Sequence, residues 1–233
     1  MSNAKEINIE NMKLKMLIYG RSGTGKTSFA CSFPKPYVFD FDDGMLGQRG
    51  KDIEYDVYAG IAAYQDLETR LKMFEGECEY ETLVFDSITT MQEARLQMLI
   101  QMSGRKTASQ AEWGMLIIKL REFLDSVTKI KDKHIVVITH EMLVQDELIG
   151  EISYMPVIYG KKLPSQFPLF FDECYRLIGG KDSEDKPSYS FQTSAGTNYM
   201  AKSRLGYLES TVCWSKNGKM VNAYDLIKEG GEK

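Results

Sequence analysis

Apolar positions along this chain follow two rhythms. Short, nearly unbroken apolar runs (LKMLIYG, PYVFDFD, ETLVFDS and HIVVITHE) each end in glycine or polar residues. Between them, apolar residues recur every three or four positions. Leu67, Leu71 and Phe74 form one such stripe in AAYQDLETRLKMFEG, and TTMQEARLQMLIQM and AEWGMLIIKLREFLDSVTKI read the same way. Unbroken runs of about four to eight residues suit strands buried on both faces, whereas the wider spacing marks amphipathic helices. A short helix is expected over KTSFACSF, stopped by Pro34. Strands alternating with helices predict an α/β fold, with a mainly parallel central sheet and helices on both faces. The last third holds shorter strand-like pieces, ECYRLIG, SYSFQTS, TNYMAKSR and STVCWS, before a closing helix over NAYDLIKEG. Antiparallel strands are therefore expected at one edge of the sheet. The stretch 141–168, with Gly150, Pro156, Gly160 and Pro164, reads as a mixed, mobile connection.

Composition narrows this picture. The chain has 233 residues, 43% of them hydrophobic, which suits one large folded domain. A polar leader is expected over 1–13, a core over 14–212, and a C-terminal extension of the same domain over 213–233. Net charge is −4, so any surface that binds nucleic acid must be local. Four scattered cysteines and only two histidines argue against a zinc site and suit a reducing, intracellular setting. No apolar run reaches about 18 residues, so no membrane span is expected.

The most specific signal is GRSGTGKT at 20–27, which matches G-x-x-x-x-G-K-[ST] with a strand before it and a helix after. Gly20, Gly23 and Gly25 let the backbone curl so that amides converge on phosphate oxygens. The following helix presents its positive end there. The whole run Gly20, Arg21, Ser22, Gly23, Thr24, Gly25, Lys26, Thr27 and Ser28 is the candidate ATP-binding segment. Lys26 reaches for the β- and γ-phosphates, and Thr27 supplies a hydroxyl to Mg²⁺. A second metal ligand is expected at the end of a buried strand, and Asp86 in TLVFDS meets that description; Ser87 is placed to help hold a metal-bound water.

Hydrolysis also needs a group that orients water. Asp40, Asp42 and Asp43 are candidates, with Asp43 read as a solvated turn residue. His140, after HIVVIT, is either a γ-phosphate sensor or a histidine satisfied at a strand end. Near the C-terminus, Lys202 and Arg204 stand two apart in TNYMAKSRLG. On a strand they would share a face and repel unless something anionic lay opposite. The plain alternative is a charged, solvated strand edge.

Phosphate loop, acidic second strand, FDS, ITHE and AKSR in this order resemble the RecA-like recombinase core. The resemblance is closest to compact AAA-type phage nucleotide-binding proteins that act in single-strand annealing and recombination, and it covers roughly 14–208. It implies a RecA-like P-loop NTPase core with ATP and Mg²⁺ as cofactors. It also implies single-stranded DNA, a homo-oligomeric filament or ring, and a single-strand-binding protein as partners, in the host cytoplasm. Asp42 falls at the water-activating position, one methylene shorter than the usual glutamate. His140 falls at the polar switch. The stretch 141–162 falls on a DNA-binding loop, with Lys161 and Lys162 at its far edge and Tyr154 and Tyr159 either stacking on bases or packing on the protein. Arg105 and Lys106 fall near another such loop. The resemblance makes Lys202 and Arg204 a pair that reaches the nucleotide of a neighbouring subunit. A ring-forming motor or helicase loader, a non-hydrolysing nucleotide-binding adaptor and a small-molecule kinase are the other readings, the last disfavoured by the absence of arginine from 141–168.

Overall fold

A computed structural model describes residues 12–74, 76, 78–145, 150–160 and 162–230. Most of the expected leader, Lys161 and the last three residues lie outside it. The expected α/β architecture is present. A nine-stranded sheet has the order β3-β2-β4-β5-β1-β7-β8-β9, with β6 added against β5. The first six in that order run parallel: β3 (Glu54–Val57), β2 (Pro36–Asp40), β4 (Thr82–Asp86), β5 (His134–Gln145), β1 (Lys15–Gly20) and β7 (Glu173–Lys181). The antiparallel strands β8 (Pro187–Gln192) and β9 (Thr211–Cys213) close one edge.

The central strands read as continuous apolar text because both of their faces are covered. One face of the sheet, with Leu17, Phe39, Phe85 and Val137, packs on α2 (Gly60–Met73), α3 (Ile88–Met102) and α4 (Gln110–Thr128) through Leu67, Ile88 and Leu124. The other face, with Ile18, Val38, Val84 and Ile138, packs on α1 (Lys26–Ala30) and α6 (Ala223–Glu229) through Phe29 and Ile227. Trp214 and Phe191 belong to that second cluster, so the C-terminal segment is built into the same core. Ser87 and Ser109 cap α3 and α4, the latter with a full Ser109–Glu112 capping box.

Register places the chemistry. Gly20 aligns with His140, and Asp40 aligns with Asp86. The carboxyl ends of β1, β2, β4 and β5 therefore meet at one edge, where ligands sit in open α/β sheets.

Two expectations are corrected, and one strand was not foreseen. Within 141–168, expected as a mixed, mobile connection, the described residues form regular elements. β5 continues to Gln145 and pairs antiparallel with β6 (Ile152–Pro156), followed by α5 (Leu163–Gln166) and a 3-10 turn at Phe167–Phe170. Gly150 precedes β6, Pro156 ends it, and Pro164 sits in the first turn of α5. TNYMAKSR forms no ladder strand; it meets the sheet through the isolated Tyr154–Tyr199 and Cys174–Lys202 bridges and through hydrogen bonds such as those of Tyr19 Oη with the Met200 backbone. Lys202 and Arg204 therefore owe nothing to a shared strand face. Finally, β3 has no counterpart in the apolar pattern, because it is a four-residue edge strand whose Tyr55 and Val57 face solvent.

Candidate active site

At the end of β1 the backbone turns through Gly23 (φ 79°) and Gly25 (φ 83°), a region that side chains other than glycine adopt at a cost. Space reinforces the requirement. A Cβ on Gly20 would stand 2.5 Å from the Leu177 carbonyl oxygen, and one on Gly25 would stand 2.6 Å from Met220 Cε. The helix that follows has only five residues, so the loop amides and the first-turn N–H groups, not an extended macrodipole, face the cleft. Lys26 is buried and donates to the carbonyl oxygens of Gly20 (3.0 Å) and Arg21 (2.8 Å). Burial lowers its pKa, while Asp86, Asp42 and Glu141 pull it back up.

Thr27 Oγ1 donates to Asp86 Oδ2 at 2.5 Å. Asp86 is 5% exposed, and burial pushes its carboxyl up to about 6 against the Thr27 hydrogen bond, with Asp42 and Asp40 adding to the rise. A hydroxyl and a carboxylate in contact, in a pocket that penalises bare negative charge, are hard oxygen donors suited to Mg²⁺. The structure thus brings together the two residues expected to hold the metal.

The three aspartates after β2 separate cleanly. Asp40 turns inward and accepts from the Asp42 and Gly44 amides (3.1 and 3.0 Å), so it shapes the turn. Asp43 has φ 53° and is exposed, as a turn residue would be. Asp42 enters the cleft. It accepts from Ser87 Oγ (2.9 Å) and from Thr90 Oγ1, and lies 3.2 Å from His140 Nε2. Burial raises the Asp42 pKa, but the hydrogen bonds from His140, Thr90 and Ser87 outweigh it, so the carboxyl sits below its ordinary value. The His140 amide donates to Thr89 Oγ1 at 2.9 Å. Two residues expected in separate roles are thus one contact pair, fixed by hydroxyls from the first turn of α3.

These groups line a cleft of about 350 Å³ bordered by Ser22, Gly23, Gly25, Lys26, Thr27, Ser28, Asp42, Gly44, Gly47, Gln48, Asp86, His140 and Met220. Thr89, Thr90, Gln48 and Met220 were not apparent from sequence. The hydroxyl-rich SITT after Asp86 was the available signal for the first two; nothing local marks Gln48 or Met220. Beside the cleft, the buried Glu141 pairs with Arg176 of β7 (2.6 Å) and with Arg21 of the phosphate loop (3.4 Å). Arg176 lies 3.8 Å from the Tyr154 ring centroid, which ties β6 to the edge that carries His140. A lone arginine inside the mostly apolar ECYRLIG was the sequence sign of this pair.

The remaining candidates lie elsewhere. Arg204 Nη1 pairs with Asp172 at 2.7 Å, and Asp172 also accepts from the amide of Lys15 at the start of β1. Lys202 Nζ donates to the Pro168 and Phe171 carbonyls at 2.9 and 2.6 Å. Both therefore sit at the end of the sheet opposite the phosphate loop of their own chain. Arg105 is exposed and pairs with Glu112 at 3.4 Å, and Lys106 is exposed beside it. Lys162 is exposed at the N-cap of α5, and Lys161 lies outside the described residues. Tyr154 and Tyr159 pack on the protein, the latter 5.2 Å edge-on from Trp113. Among the described residues no helix is long and apolar enough to cross a membrane.

A search of curated proteins returns no match. A family model described as an AAA domain matches residues 12–205, which contain every group of the cleft except Met220.

Proposed function

This chain belongs to the AAA-domain family of nucleotide-binding P-loop ATPases, and from that premise we propose that it is a Mg²⁺-dependent ATPase that acts as an oligomer on single-stranded DNA in annealing or recombination. The observation that carries the ATPase reading is the single cleft in which the Gly20–Thr27 loop, the Thr27–Asp86 contact and the Asp42–His140 pair converge.

The chemistry assigns itself by position. Lys26 exchanges its two loop carbonyls for phosphate oxygens, a charge-assisted replacement. Thr27 and Asp86 hold Mg²⁺, which when bound neutralises charge on the β- and γ-phosphates. Asp42, kept ionised by three donors, orients the attacking water by accepting from it; its low pKa makes it a poor store for the water's proton. His140 shares that carboxylate and stands where a γ-phosphate would be felt. Its strand runs directly into the β5–β6 hairpin through Glu141. The hairpin is thus placed to respond to nucleotide, which supports the reading of 141–162 as a DNA-contacting element.

Arg204 and Lys202 lie too far along the sheet to serve their own phosphate loop, so any role in phosphate chemistry is toward a neighbouring copy. Of the two, Arg204 is the better finger: its side chain is 59% exposed and pairs through Nη1 with Asp172, whereas the single ammonium of Lys202 is held by two carbonyls.

Steady-state ATP turnover, measured with Mg²⁺ and with or without single-stranded DNA, tests the proposal. Turnover that requires Lys26 and rises at least several-fold with DNA is expected. ATP binding that survives Lys26→Ala would overturn the assignment of the site, and turnover indifferent to DNA would overturn the DNA half.

A further inference from the structure

One wall of the cleft comes from outside the family-matched span. β10 (Ser215–Lys216) and β11 (Lys219–Met220) form a two-stranded hairpin, with Ser215 opposite Met220. Asn217 (φ 53°) and Gly218 (φ 75°) make its turn, a combination that gives tight, stiff hairpins. The hairpin is anchored at its base. Trp214 is fully buried, edge-on to Phe29 of α1 at 5.5 Å, and its amide donates to the Tyr189 carbonyl at 2.9 Å. The Val221 amide returns to the Trp214 carbonyl at 2.9 Å. This anchorage sets Met220 against the phosphate loop, its Cε 2.6 Å from where a Cβ on Gly25 would stand.

Lys26, Thr27, Asp86, Asp42 and His140 bring charge to the cleft, and Gly47 and Gln48, from the 3-10 turn Met45–Gln48, line it as well. Among the lining residues Met220 is the one apolar side chain. Gln48 has both amide atoms engaged: Nε2 donates to Ser28 Oγ and Oε1 accepts from Lys51, each at 2.8 Å. Gln48 is also only 6% exposed, so its amide is fixed by these protein partners and little of it faces the cleft. Met220 brings a polarizable thioether, which packs well on aromatic faces and reads no hydrogen-bond pattern.

We propose that the β10–β11 hairpin is the nucleobase wall of the cleft, with Met220 packing on the face of the base. The site then takes a nucleoside triphosphate by its phosphates and by the flat face of its base, without reading the base edge. This deepens the ATPase reading and rests on it.

Isothermal titration of the full chain with the Mg²⁺ complexes of ATP, GTP and inorganic tripolyphosphate provides the test, on the natural chain and on Met220→Ala and Met220→Leu. ATP and GTP are expected to bind within about threefold of each other. Met220→Ala should weaken both by about three- to tenfold, the loss expected for a few tens of Å² of apolar contact. Tripolyphosphate affinity should not change, which also shows that the variant is folded, and Met220→Leu should restore most of the loss. An ATP affinity unaltered in Met220→Ala would overturn the proposal while leaving the ATPase reading intact, and so would a strong preference between ATP and GTP. Failure of the natural chain to bind either ATP or tripolyphosphate would sink both.

Discussion

Asp86 carries the largest electrostatic tension in the cleft. Its folded-state pKa of about 6 lies above the ordinary 3.8, so the folded protein holds a proton more tightly than the unfolded chain does. Stability without nucleotide or metal should therefore fall as pH rises from near 3.8 to about 6, and stay low above that. The gap is worth up to roughly 3 kcal/mol. Asp86→Asn is expected to raise the unfolding temperature of the metal-free protein at neutral pH, to lose that advantage near pH 4, and to abolish Mg²⁺-dependent turnover. Thermal unfolding across that pH range checks it, and a stabilisation independent of pH would refute the electrostatic cause. At this scale the sequence was most legible for Lys26, Thr27 and Asp86, because each follows a strand or turn whose backbone places it. Asp42 was chosen from its neighbours by resemblance. Its selection in space depends on Ser87, Thr90 and His140, which are remote in sequence.

At the scale of elements, the parallel strands and the long helices announced themselves through periodicity, since burial on both faces or on one leaves different spacings. The missed elements are those whose residues face solvent or pair late. Edge strand β3 is held by side-chain links such as Asp56 to Arg70 of α2, not by an apolar face. The β5–β6 hairpin exposes Leu143 and Ile152, so no burial pattern flagged it. The short C-terminal hairpin depends on one residue. Trp214 is enclosed by Phe29, Tyr189 and the phosphate loop, and among the described residues its Nε1 finds no hydrogen-bond partner. Trp214→Phe should then cost little, under about 1.5 kcal/mol. Trp214→Ala should cost about 3–5 kcal/mol and weaken nucleotide binding with it. Urea denaturation separates the two, and equal losses for both variants would show that the indole N–H matters after all.

The whole molecule has a polarity that bears on assembly. Nucleotide chemistry gathers at the carboxyl edge of the parallel strands, while Arg204 and Lys202 lie at the amino edge. A head-to-tail contact between copies is the arrangement that brings such an edge to a neighbour's cleft, and it generates rings or filaments. Arg204→Ala is expected to leave ATP affinity of the isolated subunit within about twofold and to remove turnover that depends on assembly. Turnover measured against protein concentration, alongside sedimentation, checks this; concentration-dependent turnover unchanged in the variant would end the role. On the proposed DNA-binding role, a net charge of −4 confines attraction to a few local cations, so binding measured against ionic strength is expected to fall steeply, and binding indifferent to salt would count against the role.

Short stretches of sequence were enough for the phosphate loop, the strand-helix alternation and the placing of Thr27 after the loop and Asp86 at a strand end, because these follow from local backbone geometry and burial. Contacts made in three dimensions settle which aspartate enters the cleft, that it meets His140, that Glu141 is neutralised by Arg176, and that Met220 lies against Gly25. Those contacts join residues far apart in the chain, and their energies depend on desolvation and close packing that exist only once the sheet has brought its strand ends together.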